Sequence, residues 1–127
     1  MINRTVKILN WNDYYRRGGR FAEVQNIFLS PDETLAVVVC LGQETFVAVR
    51  ILEQTPEGYV AEFFDEFRCS RDDCDFRICR VDWSWMKYGF CKLSWTDMER
   101  GSSCVHRFYF DRELYEQKRA ELNGLSF

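Results

Sequence analysis

Between Val81 and Trp95 the apolar and polar side chains alternate regularly enough to fold the stretch, on paper, into one hairpin. Lys87-Tyr88-Gly89 suits a three-residue loop, a type I turn closed by a left-handed glycine. Met86 then meets Phe90; Trp85 meets Cys91, Trp83 meets Leu93 and Val81 meets Trp95, these three pairs on one face. The other face carries Ser84 with Lys92, Asp82 with Ser94 and Arg80 with Thr96. One apolar and one polar face is the pattern of an antiparallel pair buried on one side and wet on the other.

A second hairpin differs in kind. Gly42-Gln43 makes a two-residue loop, with glycine where a type II′ turn requires it. Leu41 closes on Glu44, and the pairs Cys40–Thr45, Val39–Phe46, Val38–Val47, Val37–Ala48 and Ala36–Val49 follow. Both faces of this pair are apolar, so it should lie centrally with another layer above it.

Around these hairpins the pattern is coarser. Thr5 to Leu9 reads as a short strand, and the polar stretch Asn10 to Arg20, with Gly18-Gly19, as a loop or one helical turn. Phe21, Val24 and Phe28 have helical spacing, but the following Ser30-Pro31-Asp32-Glu33 turn favours a strand over Ala22 to Ser30. Thr55-Pro56-Glu57-Gly58 turns the chain into a strand from Tyr59 to Phe64, whereas Phe63 to Asp75 shows no clear period and has room for a helical turn at Asp65-Glu66-Phe67. Met98 to Ser103 is loop and Val105 to Phe110 strand. Asp111 then suits a helix N-cap, Glu113 its first turn and Gly124 its stop, with Leu114, Tyr115, Leu122 and Leu125 as a thin buried stripe. The expected fold is α+β and mainly β: a curved antiparallel sheet, a meander of six to eight strands, with a C-terminal helix. At 127 residues the chain, 1–127, is read as a single domain.

Composition adds that the chain can bury a core: 46% of its residues are hydrophobic and 17% aromatic, which argues against disorder. No apolar run approaches the roughly 20 residues of a membrane span, and the opening Met-Ile-Asn-Arg-Thr lacks a secretory pattern. A cytoplasmic protein without membrane association is expected, and in that reducing compartment the 6 cysteines are expected to stay as thiols.

Charge is segregated along the chain. Residues 1–20 carry five basic side chains against Asp13; residues 21–66 carry nine acidic ones against Arg50, a balance of −8; the remainder is near neutral, and the total is −3. In a meander, alternate turns share one end of the sheet. The turns at Ser30–Glu33 and Glu53–Gly58 should therefore gather Asp32, Glu33, Glu53 and Glu57 on one rim, opposite Glu44, where repelling carboxylates invite a basic partner.

The other candidate groups are weaker. Cys69, Cys74, Cys104 and His106 are zinc-ligand types, but the usual two-residue spacer between cysteines is missing, and buried cysteine is common in cores. Structural cysteine ranks first, and no metal and no cofactor is expected. His106 is the single histidine, with no local signature for a nucleophile pair, so no catalytic residue is assigned and the chain is read as a non-enzyme. Tyr14, Arg16, Arg17 and Arg20, beside two glycines, could contact nucleic acid or a protein. One such stretch in an acidic chain ranks nucleic acid behind a protein partner. Three tryptophans on one hairpin face are core unless that face stays open, when they would mark an interaction hot spot.

The expected function is therefore that of a small inhibitor, of the toxin-immunity or phage anti-defence type. It would block a partner with a basic groove, a nuclease or nucleic-acid-binding complex, by surface and charge complementarity. The alternative is a small-molecule-binding β-sheet domain with an aromatic-lined cavity.

Overall fold

The computed structural model describes residues 5–9, 20–41, 45–69, 74–97, 101–111, 113 and 120. The fully apolar hairpin forms as its sequence requires. Strands β3 (Leu35–Cys40) and β4 (Thr45–Thr55) pair antiparallel from Ala36 with Val49 to Val39 with Phe46, in the expected register. The Gly42-Gln43 turn and Glu44 lie outside the described residues. Four further strands follow expectation in kind: β1 (Thr5–Leu9), β2 (Arg20–Leu29), β5 (Gly58–Arg68) and β8 (Ser102–Tyr109). Strands β6 (Cys74–Asp82) and β7 (Phe90–Asp97) complete the set.

The structure is mainly β with antiparallel-rich sheets, but the single curved meander is corrected. Strands β1 to β5 close into a barrel, and β6, β7 and β8 make a separate three-stranded sheet. An up-and-down barrel of five strands must close with one parallel seam, and here β1 runs parallel to β5 from Thr5 with Gly58 to Leu9 with Glu62. Glycine is needed at that seam. A Cβ on Gly58 would stand 1.9 Å from the Thr5 carbonyl oxygen.

Closing so few strands demands strong local bending, which β-bulges supply. Register shifts interrupt β2 between Val24 and Asn26, and the β4–β5 ladder at Ala48/Val49 and at Ile51/Glu53. The β2 bulge moves the inward positions from Ala22 and Val24 to Ile27 and Leu29, and the helically spaced Val24 and Phe28 face different cores, the barrel and the interlayer core. Val6, Ile8, Ala22, Ala36, Val38, Cys40, Val47, Val49 and Ala61 fill the barrel, mostly β-branched or small residues as a narrow interior requires.

The other faces of β3 and β4 meet the second sheet. Val37, Val39, Phe46 and Ala48 pack against Cys91, Leu93, Trp95 and Phe108 in an interlayer core. The expectation of a further layer over this hairpin is thus met, each face having its own core.

The tryptophan hairpin is half as expected. Gly89 takes the left-handed conformation (φ 85°) and donates its N–H to the Met86 carbonyl at 2.9 Å. The strands, however, pair two residues out of the expected register: Val81 faces Leu93, and Cys79 faces Trp95. Residues 83–89 form a longer connection with one turn of 3-10 helix at Met86–Tyr88. A two-residue slip preserves faces, so Trp83 and Trp95 both join the interlayer core while Asp82 stays exposed. Trp85 leaves that side, because its indole N–H donates to the Asp82 carboxylate at 3.1 Å.

Most of the helix expected after Asp111 falls on residues outside the described set; Glu113 and Ala120 are described as helical, but no α-helix element stands among the described residues. Nor, among the described residues, is any helix long and apolar enough to cross a membrane.

Gly58→Ala should therefore break the barrel seam. The expected loss is about 2 kcal/mol or more, since backbone rather than a flexible side chain blocks the new Cβ. Gly101→Ala, also at positive φ (66°) but in open space, should cost about 1 kcal/mol from left-handed strain. Chemical denaturation of both variants measures the difference; equal losses would show that β1 does not press on Gly58 in solution.

Candidate interaction surfaces

The Ser30–Thr34 turn is built around one carboxylate. Asp32 accepts hydrogen bonds from Ser30 Oγ at 2.7 Å, Thr34 Oγ1 at 2.8 Å and the Thr34 N–H at 3.1 Å. These bonds, the Ser30 hydroxyl first, hold its pKa below the usual carboxylate value. Glu33 follows at φ 61°, and the Glu33 N–H closes the turn on the Ser30 carbonyl at 2.9 Å. The Ile51 N–H then donates to the Thr34 carbonyl at 2.8 Å, which fastens this turn to the side of β4.

Past Ile51, β4 and β5 continue as a hairpin that reaches beyond β3, carrying Leu52, Glu53 and, in its turn, Glu57, all exposed. Thus Asp32, Glu33, Glu53 and Glu57 do lie at one end of the barrel. Among the described residues no cation pairs with Glu33, Glu53 or Glu57; the Arg50–Glu62 pair at 2.9 Å lies further along the same two strands. Asp32 differs from the other three, since its Oδ1 already accepts the three hydrogen bonds that shape the turn.

A second surface was not foreseen from sequence. On the outer face of the three-stranded sheet, Phe90 sits beside Tyr109, and the next row holds Asp82, Lys92 and Arg107, followed by Arg80, Ser94 and Val105. Asp82 accepts from Ser84 Oγ at 2.6 Å and the Ser84 N–H at 2.9 Å, as well as from Trp85. Ser84 is the main reason its carboxyl is held low. That clasp lays Trp85 over the sheet. Its ring stacks on Phe90 at 5.8 Å and 15°, and lies 5.9 Å from Tyr88, while Phe90 lies 5.3 Å from Tyr109. Cations cover these rings: Lys92 Nζ is 4.0 Å from the Trp85 centroid, Lys87 Nζ 5.1 Å from Tyr88 and the Arg107 guanidinium 5.3 Å from Phe90. Tyr88 is 53% exposed and Val105 56%. The signal was present as alternate residues of β7 and β8, but only folding sets them side by side.

Between the layers, His106 lies flat on Phe67, 4.2 Å between centroids, and meets the edge of Phe108 at 4.6 Å. Its Nε2 finds no hydrogen-bond partner among the described residues, and burial lowers its pKa to about 4. An imidazole so placed is a neutral packing element. Cys69, Cys79 and Cys104 border the same core, and the five cysteines whose side chains are described are thiols. Burial raises the Cys79 pKa and, as the main cause, that of Cys91 to about 12, which makes both poor nucleophiles. No group of three metal-ligand side chains gathers among the described residues. Tyr14, Arg16, Arg17 and Cys74's side chain lie outside them, as does the side chain of Arg20, whose backbone opens β2.

Compared with family models, curated proteins and solved structures, the chain matches none.

The buried imidazole makes stability depend on pH. In the unfolded chain His106 takes up a proton near pH 6.5, but in the folded protein only near 4. Stability from this group is therefore complete above 6.5 and falls as pH drops towards 4, by about 2 kcal/mol after allowing for partial solvent screening. His106→Phe keeps the ring stack and removes the proton. The difference between the two proteins in urea midpoint should grow from pH 7 to pH 4, in favour of the variant. A constant difference would mean that His106 is solvated in the folded state.

Proposed function

We propose that this protein is a non-enzymatic inhibitor that binds a protein partner through its acidic barrel end, in the manner of toxin-immunity or phage anti-defence proteins. One observation carries the reading: the Thr34–Ile51 hydrogen bond joins the Asp32–Glu33 turn to the projecting β4–β5 hairpin, so that segments distant in sequence present carboxylates together. Pairing those groups with cations at a solvated rim spares most of their hydration, and a basic groove would relieve their mutual repulsion. Exposed Leu52, 49% accessible beside Glu53, supplies the apolar contact that charge by itself does not. The partner of best fit is a nuclease or nucleic-acid-binding protein whose groove normally receives phosphates. The alternative, a small-molecule binder with an aromatic cavity, draws no support from the barrel, whose interior is taken up by Val6, Ile8, Val38, Val47 and Val49.

The choice of variants follows from the turn chemistry. Asp32 holds its own turn, so its replacement would confuse folding with binding. Glu53→Lys with Glu57→Lys alters exposed side chains only. With a basic partner captured from a lysate of the source cells, this pair of reversals should slow association at least tenfold and flatten its dependence on salt, leaving dissociation little changed. Glu113→Lys, exposed on the far stretch of the chain, should do neither. Stopped-flow rates at two ionic strengths decide it. An association rate indifferent to both reversals would remove the acidic end as the contact surface.

A further inference from the structure

From the outer face of the three-stranded sheet we infer a second binding site, independent of the acidic end, that takes single-stranded nucleic acid. Four aromatic side chains form a continuous run there, Tyr88–Trp85–Phe90–Tyr109, each ring within 5.9 Å of the next. The row beside it carries Lys92 and Arg107, with Arg80 one row further and Lys87 next to Tyr88. Against these four cations the described side chains of the same face include one carboxylate, Asp82, and that one is engaged by Ser84 and Trp85. A local excess of positive charge in a chain of net charge −3 is a departure that the rest of the molecule does not require.

Rings bordered by cations match the two halves of a nucleotide. A base offers a π-face to an aromatic side chain, and its phosphate offers a charge to lysine or arginine. In the unoccupied face the cations rest on the rings themselves, which holds both in place. Exposed cation–π contacts of this kind are weak, whereas each base stacked on an aromatic ring gains more, and the displaced cation keeps its charge for the phosphate. The exchange therefore runs toward binding. Single strands suit the site better than duplex, because stacking needs bases that are not already stacked on one another. The ladder bonds of the sheet fix the rows, and the Asp82 carboxylate fixes the Trp85 indole, so the rings are ordered without ligand.

Fluorescence anisotropy with labelled oligo(dT) and oligo(U) of about twelve nucleotides tests the inference and separates DNA from RNA. Expected is binding to at least one of them, with affinity falling as salt rises at a log–log slope of about −2 to −3, the value for three or four neutralised phosphates on a single strand. Lys92→Glu with Arg107→Glu should weaken binding at least tenfold and reduce that slope. Tyr88→Ala, at an exposed ring, should weaken it about fivefold or more, with the thermal midpoints of all variants checked by circular dichroism. Arg16→Glu with Arg17→Glu should have the smaller effect. The inference is overturned if neither oligonucleotide binds at low salt, or if the Arg16/Arg17 reversal abolishes binding while the Lys92/Arg107 reversal does not. It is also overturned if a duplex of equal length binds as well and Tyr88→Ala changes nothing. Displacement by polyglutamate at lower concentration than by oligonucleotide would reassign the face to an acidic protein.

Discussion

Neither β3 nor β4 has a polar face along the stretch where they pair, and that constraint orders the rest of the molecule. A strand pair with Ala36, Val38, Val47 and Val49 on one side and Val37, Val39, Phe46 and Ala48 on the other has to be covered twice. The chain meets the first need by curling β1, β2 and β5 round into a barrel, and the second by laying β6–β8 across the outside. The dependence is mutual. A three-stranded sheet by itself leaves its apolar face wet, and Leu93, Trp95 and Phe108 are dry because the barrel wall supplies the facing layer. Each large side chain buried there contributes on the order of 2 kcal/mol, so the interlayer contact is a substantial part of what holds the two sheets together. It also explains why the single histidine is kept neutral: His106 stands within this shared core, stacked on Phe67 from the barrel and edged by Phe108 from the sheet.

What was legible in the sequence was local and unbulged. The β3–β4 pairs could be read residue by residue because nothing interrupts their alternation. Where a bulge changes parity the reading blurred: β2 looked partly helical, and the second half of β5, in which Phe64 and Phe67 both face the interlayer core, showed no period at all. Barrel closure was invisible for another reason. The β1–β5 seam joins segments far apart in the chain, and its one sequence mark, Gly58, has the same glycine that an ordinary turn would have. Trp85 was misplaced because alternation assigns a side chain to a face, whereas a hydrogen bond from its indole to Asp82 can carry it to the other.

The candidate surfaces were legible to different degrees on the same grounds. Topology was enough to place two alternate turns at one end, so the acidic group could be anticipated. The aromatic and cationic face is built from alternate residues of three strands and a loop, and summing charge along residues 67–127 gave near neutrality because carboxylates elsewhere in that stretch cancel it. Charge counted by segment suits surfaces made of loops; a sheet face has to be counted by alternate positions and by register.

Two aspartates show why counting carboxylates overstates what a partner would meet. Asp32 and Asp82 sit at comparable places, each just before or within a turn, and each accepts three hydrogen bonds from groups within three residues. Their hydrogen-bonding oxygens go first to local geometry: Asp32 shapes the turn that Thr34 fastens to β4, and Asp82 folds Trp85 onto the sheet. Glu33, Glu53 and Glu57 accept no such bonds among the described residues and keep their charge for whatever approaches. Among the described side chains, the acidic end is therefore a surface of three glutamates arranged by an aspartate, and the opposite-signed face is one of four cations arranged by Asp82. In both, an aspartate sets the shape and longer side chains, glutamates or lysines and arginines, carry the charge that can move to meet a partner. That division follows from side-chain length: aspartate reaches its own backbone two residues on, and glutamate does so less readily.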